Sequence, residues 1–278
     1  MQQTMKPCLA QVCSLNSPFE ADIVDYAAGH CHAVEIWLGK LETYLDSHST
    51  DGVRRLLAEN EITAATASYQ GGLLTSQGPQ RDESWKHFRH RLALAAELGI
   101  HTLVVASDIQ APLNQQDLDR ASASLSEAAA VAEKHQVRLA LEFQATAAFG
   151  NNLQTAVAMV AQANNPCLGI CLDAFHFYCG PSKLVDLDLL TRQNLFHVQL
   201  CDLAGNMREL ATDADRILPG DGDLPLEPIV DHLRQIQYDG YISIEVMNPQ
   251  IWQVPARQFG EIAVTALRKL LGQASMGD

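Results

Sequence analysis

Short apolar runs rich in β-branched residues alternate with longer amphipathic stretches along the whole chain. Runs of four to eight such residues, bounded by turn residues, are typical of buried β-strands. Eight runs have this character and are predicted to be strands: 8–13, 33–38, 62–67, 102–106, 137–143, 167–172, 195–200 and 241–246.

The stretches between these runs have the spacing of amphipathic helices. In 81–98, apolar residues recur three and four positions apart, which places them on one helical face. The stretch 115–135 repeats this pattern, with Asn114 as its predicted N-cap, and Pro255 opens a last helix. Weaker helical patterns occupy 19–28, 51–59, 152–163, 183–192 and 226–236.

Eight strand–helix alternations without a flexible linker predict a parallel (β/α)₈ TIM barrel, in one domain over residues 1–278. Such barrels typically take about 250 residues. A doubly wound open sheet is the structural alternative, but it normally has a glycine-rich turn after its first strand, and this chain has SLNSPFE there. The irregular segment 202–224 follows the seventh strand and is expected on the catalytic face of the barrel.

Composition and charge narrow the class of protein. Hydrophobic residues make up 47% of the chain and charged residues 19%, as in an ordinary globular protein. The net charge of −14 argues against nucleic-acid binding. No apolar run approaches the length of a membrane span, and the seven cysteines include no C-x-x-C pair. We therefore expect a soluble, cytoplasmic protein with reduced cysteines; its homo-oligomeric state is left open.

Four polar residues interrupt or end the last four predicted strands. They are Glu142 in LALEFQ, Asp173 in GICLDAFH, Gln199 in FHVQLCD and Glu245 in YISIEVMNP. Three converging carboxylates repel one another unless a cation lies between them. Oxygen ligands suit a hard divalent metal. These four residues are therefore predicted to bind one divalent metal, Mn²⁺ or Mg²⁺, with Co²⁺ or Zn²⁺ as alternatives.

Two motifs accompany these four positions: Asp173-x-x-His176 and Arg216-x-x-Pro219-Gly220-x-Gly222. Together, the four positions and the two motifs resemble the sugar isomerase/epimerase superfamily of xylose isomerase-like TIM barrels. That group includes ketose epimerases, hydroxypyruvate isomerase, and inosose and 3-dehydroshikimate dehydratases. The resemblance extends from VEIW (34–37) to EVMNP (245–249).

The resemblance implies specific roles for residues at matching positions. The metal-ligand positions of the family are matched by Glu142, Asp173, Gln199 and Glu245. His176 matches a histidine that contacts a substrate oxygen, and Arg216 matches an arginine that binds a substrate oxygen. Many sugar epimerases have histidine where this chain has Gln199, whereas dehydratase members also have glutamine there. The glutamate that epimerases carry six residues after the fifth-strand ligand is replaced by Ala148, which argues against a close ketose 3-epimerase.

Other polar residues near the strand ends are candidates for substrate contact. Gln70 and Asp108 follow the third and fourth predicted strands and could bind hydroxyls, and Asn248 could line the pocket. Glu35 either forms hydrogen bonds inside the barrel or faces the substrate. His197 shares the face of Gln199 and is either a packing residue or a partner of the metal ligands.

This constellation predicts proton abstraction next to a carbonyl, through a metal-stabilised enediolate, with Glu142, Glu245 and His176 as catalytic residues. We expect an isomerase or epimerase of carbohydrate metabolism, acting on a small polyhydroxylated carbonyl compound. An unphosphorylated substrate is preferred over a sugar phosphate, because the chain has no glycine-rich phosphate cradle. The alternatives are a lyase of the 3-dehydroshikimate or inosose dehydratase type and a non-catalytic small-molecule-binding barrel.

Overall fold

All eight predicted strands are present. A computed structural model of the protein describes residues 5–205 and 207–273. The strands within these residues are β1 (Lys6–Ala10), β2 (Ala33–Trp37), β3 (Thr63–Gln70), β4 (Thr102–Ser107), β5 (Arg138–Phe143), β6 (Leu168–Asp173), β7 (Leu195–Leu200) and β8 (Tyr241–Ile244). They form a closed barrel in chain order, from β1 to β8. The (β/α)₈ barrel predicted from the alternation is confirmed, and the single domain over residues 1–278 stays a prediction.

Helices lie between the strands, as the amphipathic stretches predict. The α-helices among the described residues are α1 (Phe19–Ala28), α2 (Leu38–Leu45), α3 (Thr50–Glu59), α4 (Gly78–Leu98), α5 (Gln115–Lys134), α6 (Leu153–Ala163), α7 (Ala174–Cys179), α8 (Glu227–Gln235) and α9 (Ala256–Leu270). The short helices α2 and α7 were not predicted, because six to eight residues are too few to establish a helical period.

Two predicted elements are replaced over part of their length by a 3₁₀ helix. The first strand ends at Ala10, and the rest of the apolar run forms a 3₁₀ helix over Gln11–Ser14. There the Cys13 thiol donates to the carbonyl of Ile244 (3.3 Å) and accepts from the backbone N–H of Val246 (3.1 Å), so the run stays buried without continuing the strand. The helix predicted over 183–192 is a 3₁₀ helix over Leu184–Leu189, in which only Leu187 is buried. With so small an apolar face, a longer α-helix has little to pack against.

The chain divides into two compact units. Thr66–His197 form unit 2, and among the described residues 5–65, 198–205 and 207–273 form unit 1. In unit 2, β4, β5 and β6 pair in parallel, with Ala106 opposite Glu142 and Glu142 opposite Cys171. Side chains from these strands and β7 form a buried cluster: Val104, Ala140, Cys171 and Phe196.

Unit 1 contains the pairings of β1 with β2 and with β8, and of β7 with β8. Ala10 lies opposite Glu35, and Gln199 lies opposite Ser243. The buried cluster of this unit has Tyr241 packed against it and consists of Cys8, Ala33 and Ala65.

The seven cysteines, all of them among the described residues, are free thiols in this structure. Among the described helices, none has the length and apolar character that crossing a membrane requires.

The predicted N-cap of α5 is confirmed and provides a test of local stability. Asn114 accepts through its side chain from the backbone N–H of Asp117 (3.2 Å), and Asp117 accepts in return from the N–H of Asn114 (3.1 Å). This capping box satisfies two backbone donors that the helix itself leaves unpaired. We expect Asn114→Ala to lower the free energy of unfolding by about 1 kcal/mol, as measured by urea denaturation. Gln116→Ala, on the exposed side of the same helix turn, serves as the control, and an equal loss in both variants would contradict a capping role.

Candidate active site

In unit 2, Glu142 and Asp173 lie at the carboxyl ends of adjacent strands. Each is two residues beyond a member of the buried cluster, Ala140 on β5 and Cys171 on β6. Side chains alternate along a strand, so Glu142 and Asp173 share the face of that cluster. The sequence predicted this placement because each acidic residue interrupts or ends an apolar run.

His176 lies beside these two carboxylates. Glu142, Asp173 and His176 are all buried, and one ligand atom from each lies within 4.8 Å of the others. Asp173 brings the histidine into position, since its Oδ1 caps α7 by accepting from the N–H groups of Phe175 (2.6 Å) and His176 (3.2 Å). Gln144 donates from Nε2 to Oε2 of Glu142 at 2.5 Å, which holds the other carboxylate.

The orientation of the His176 ring indicates what it can do chemically. Its Nδ1 accepts a hydrogen bond from the backbone N–H of Ala145 at 3.4 Å. A neutral imidazole whose Nδ1 is an acceptor carries its proton on Nε2. The ring therefore presents an N–H donor at Nε2, which suits a contact with a substrate oxygen.

In unit 1, Gln199 and Glu245 belong to a buried hydrogen-bond network. Gln199 donates from Nε2 to Oε1 of Glu35 (2.8 Å) and to Oε1 of Glu245 (3.0 Å). Arg216 pairs with Oε2 of Glu245 at 3.1 Å and with Asp213 at 2.8 Å. The Arg216 side chain is only 1% exposed, so in this structure it supports the Glu245 carboxylate. A contact between Arg216 and a substrate oxygen stays a prediction.

Asp202 organises the segment that carries Arg216. Its carboxylate accepts from the backbone N–H groups of Gly220 (2.9 Å) and Leu224 (2.9 Å). A Cβ at Gly222 would come within 2.5 Å of this carboxylate, so the loop requires glycine there. Asn248, a predicted pocket residue, donates to the carbonyl of Arg216 at 3.1 Å. The sequence offered no signal for Asp202, because its partners lie 18 and 22 residues away.

The remaining candidates in unit 2 have different surroundings. Asp108 accepts from the N–H of Gly72 at 2.6 Å, and burial raises the pKa of its carboxyl above the usual value. Gln70 ends β3, and its amide donates to the carbonyl of the next residue at 2.6 Å. His197 is fully buried, with Nδ1 3.2 Å from the Thr66 hydroxyl. Contacts of Gln70, Asp108 and Asn248 with a substrate stay predictions.

The donor set in unit 2 fits a divalent cation. Two buried carboxylates so close together would repel each other without a positive charge, and carboxylate oxygens are ligands that Mn²⁺ and Zn²⁺ accept. The sequence predicted Glu142 and Asp173 as ligands and His176 as a nearby contact for a substrate oxygen, and the structure brings these three side chains together.

Comparisons with known proteins agree with this fold. An inosose isomerase of Halalkalibacterium halodurans is 25% identical over 262 residues, which cover 91% of this chain and 92% of the relative. A 3-dehydroshikimate dehydratase of Pseudomonas putida is 29% identical over 206 residues, which cover 70% of this chain and 31% of that protein. A crystal structure of the IolI protein with a zinc atom bound superimposes with a TM-score of 0.90 at 22% identity, covering 98% of this chain and 100% of the other.

The family model described as xylose isomerase-like TIM barrel matches residues 24–269, a range that contains all the strands from β2 to β8. The resemblance inferred from the strand-end residues is thereby confirmed, and the chain belongs to the xylose isomerase-like TIM barrel family.

Proposed function

We propose that this protein is a metal-dependent isomerase or epimerase that moves a proton next to the carbonyl group of a small polyhydroxylated compound. The observation that carries the proposal is the buried group formed by Glu142, Asp173 and His176. Two desolvated carboxylates and a histidine in one place are costly for stability, which makes such a group a candidate functional site.

The proposed metal ligands are Glu142, Asp173, Gln199 and Glu245, as predicted from the sequence. Their support is that each belongs to, or directly follows, one of the successive strands β5 to β8. A bound divalent cation supplies Lewis-acid polarisation of a carbonyl oxygen, which makes the neighbouring C–H more acidic.

The side chains of the protein perform the proton transfer in this proposal. A carboxylate of Glu142 or Glu245 accepts the proton from the carbon next to the carbonyl, and a carboxyl group returns it. Return to the former carbonyl carbon, with the hydroxyl proton passing to the carbonyl oxygen, gives isomerisation, and return to the opposite face of the original carbon gives epimerisation. His176 donates from Nε2 to a substrate oxygen, and Arg216 holds Glu245 through their ion pair.

The proposed substrate class is an unphosphorylated cyclic or open-chain polyol that carries a ketone or aldehyde. The inosose isomerase relative acts on a compound whose name fits this class. The segment 202–224 has only two basic residues, Arg208 and Arg216, and Arg216 is occupied by Glu245 and Asp213. Few cations therefore remain in this segment to bind a phosphate group.

A dehydratase is the alternative that a specific observation favours. The 3-dehydroshikimate dehydratase of Pseudomonas putida has the highest identity of the relatives described above, at 29%. Dehydration shares the initial proton abstraction and differs in the next step, in which a β-hydroxyl leaves. The same carboxylates can therefore serve either reaction.

A substrate panel with controlled metal content tests the proposal. The metal-free protein is assayed with inosose, ketohexoses and 3-dehydroshikimate, each with added Mn²⁺, Mg²⁺, Co²⁺ or Zn²⁺, and in deuterated water. We expect metal-dependent isomerisation or epimerisation, with deuterium entering the carbon next to the carbonyl. Loss of water from 3-dehydroshikimate as the main reaction would favour the dehydratase. Ligand binding without turnover or bound metal would contradict both and indicate a non-catalytic barrel.

A further inference from the structure

Glu35 is a buried carboxylate that the proposed proton transfer does not use. It lies on β2 and is fully buried. Its Oε1 accepts a hydrogen bond from Nε2 of Gln199 at 2.8 Å, across 164 positions in the sequence. Burying a carboxylate is costly unless hydrogen bonds compensate it, so its retention here calls for a physical reason.

The partners of Gln199 determine how its amide is turned. Both Glu35 and Glu245 are carboxylates that accept from the same Nε2, at 2.8 and 3.0 Å. An ionised carboxylate has acceptors only, and an amide NH₂ has two donors. The NH₂ end of Gln199 therefore faces the two carboxylates, and the opposite rotamer would bring its carbonyl oxygen against two carboxylate oxygens.

We propose that Glu35 is a positioning residue that fixes the amide of Gln199 with its NH₂ end toward the carboxylates, so that its carbonyl oxygen, and not its NH₂ group, would ligate a divalent cation. The inference rests on the proposed function, in which Gln199 is a ligand. The carbonyl oxygen of a glutamine can ligate a hard cation, whereas its NH₂ group cannot.

The expected effect is on metal affinity. Loss of an outer partner of a metal ligand typically lowers metal affinity by about 10–100-fold. We expect a loss in that range for Glu35→Ala, measured by calorimetric titration of the metal-free protein with Mn²⁺. Glu35→Gln keeps an oxygen that can accept from Gln199, and we expect it to retain most of the affinity. Saturating Mn²⁺ should restore the turnover of Glu35→Ala.

A double-mutant cycle separates positioning from a general structural effect. In a Gln199→Ala background the amide is absent, so Glu35→Ala should change Mn²⁺ affinity by less than about twofold. Asp22→Asn is the matched control, because it removes another fully buried carboxylate of unit 1, one that pairs with Lys40 at 2.6 Å. We expect this control to leave Mn²⁺ affinity unchanged.

The possible outcomes are distinguishable. Wild-type affinity in Glu35→Ala, or an equal loss in the Gln199→Ala background, would overturn the positioning role and leave the proposed function intact. A wild-type protein that binds no divalent cation would overturn both. Glu35→Leu fills the space without an acceptor and replaces Glu35→Ala if that variant does not fold. Failure of both to fold would assign Glu35 to the stability of the core and overturn the inference.

Discussion

At least one of the variants Glu142→Gln and Glu245→Gln is expected to keep a low turnover when its metal site is saturated. A variant that only binds the metal more weakly would instead recover its turnover. If the two glutamates only hold the metal, excess Mn²⁺ should restore most of the activity. If one of them also transfers the proton, its amide replacement cannot accept it. General acid–base contributions are typically about 10²–10⁴-fold in rate, and we expect a loss of that size in kcat at saturating Mn²⁺.

The surroundings of the two glutamates affect how each variant is interpreted. Glu142 is held by Gln144, which is neutral, whereas Glu245 is paired with Arg216 and bonded to Gln199. Glu245→Gln therefore also removes the charge opposite a buried guanidinium, and its thermal unfolding must be compared with that of the wild type. Glu142→Gln replaces a carboxylate whose contact with Gln144 is with a neutral amide, and its thermal unfolding is compared in the same way.

Solvent exchange provides a second measurement of the same step. Exchange of the substrate's α-proton with deuterated water should fall together with turnover in the affected variant. Glu209→Gln makes the same chemical change at an exposed residue of the segment 202–224 and should leave both rates unchanged. Exchange and turnover at wild-type rates in both metal-saturated variants would reject proton transfer by these glutamates.

The double variant Glu142→Gln, Asp173→Asn is expected to lose stoichiometric metal binding. Neutralising two carboxylates of the buried group removes most of the negative charge that attracts a cation. We expect affinity for Mn²⁺ to fall by more than about 100-fold, beyond the effect typical of an outer partner. The measurement is metal content after dialysis, together with calorimetric titration.

Both replacements in this double variant are chosen to preserve the local fold. An asparagine at 173 keeps an oxygen that can cap α7 through the N–H groups of Phe175 and His176. The control is Glu209→Gln, Asp221→Asn, which neutralises two exposed carboxylates of the segment 202–224. Full metal occupancy in the double variant would show that the metal site lies elsewhere.

Strand positions could be predicted well from the sequence, and strand ends could not. The run 102–106 is apolar and β-branched, and Thr102–Ser107 is a fully buried strand. The run 8–13 is equally apolar, but its second half leaves the sheet because Cys13 bonds to the backbone around β8, 231 positions away. Burial is encoded in the local pattern, whereas the choice between strand and 3₁₀ helix depends on that distant partner.

The sequence by itself determined the barrel, because its alternating apolar runs have a local period. It also determined which polar residues lie at the strand ends, because each interrupts or ends an apolar run: Glu142, Asp173, Gln199 and Glu245. Only the tertiary structure decided what surrounds them. It pairs Glu35 with Gln199 and turns Arg216 toward Glu245, contacts that span 164 and 29 positions. The physical reason is that hydrogen bonds and ion pairs depend on distances of about 3 Å between atoms, and folding alone brings such separated residues within that distance.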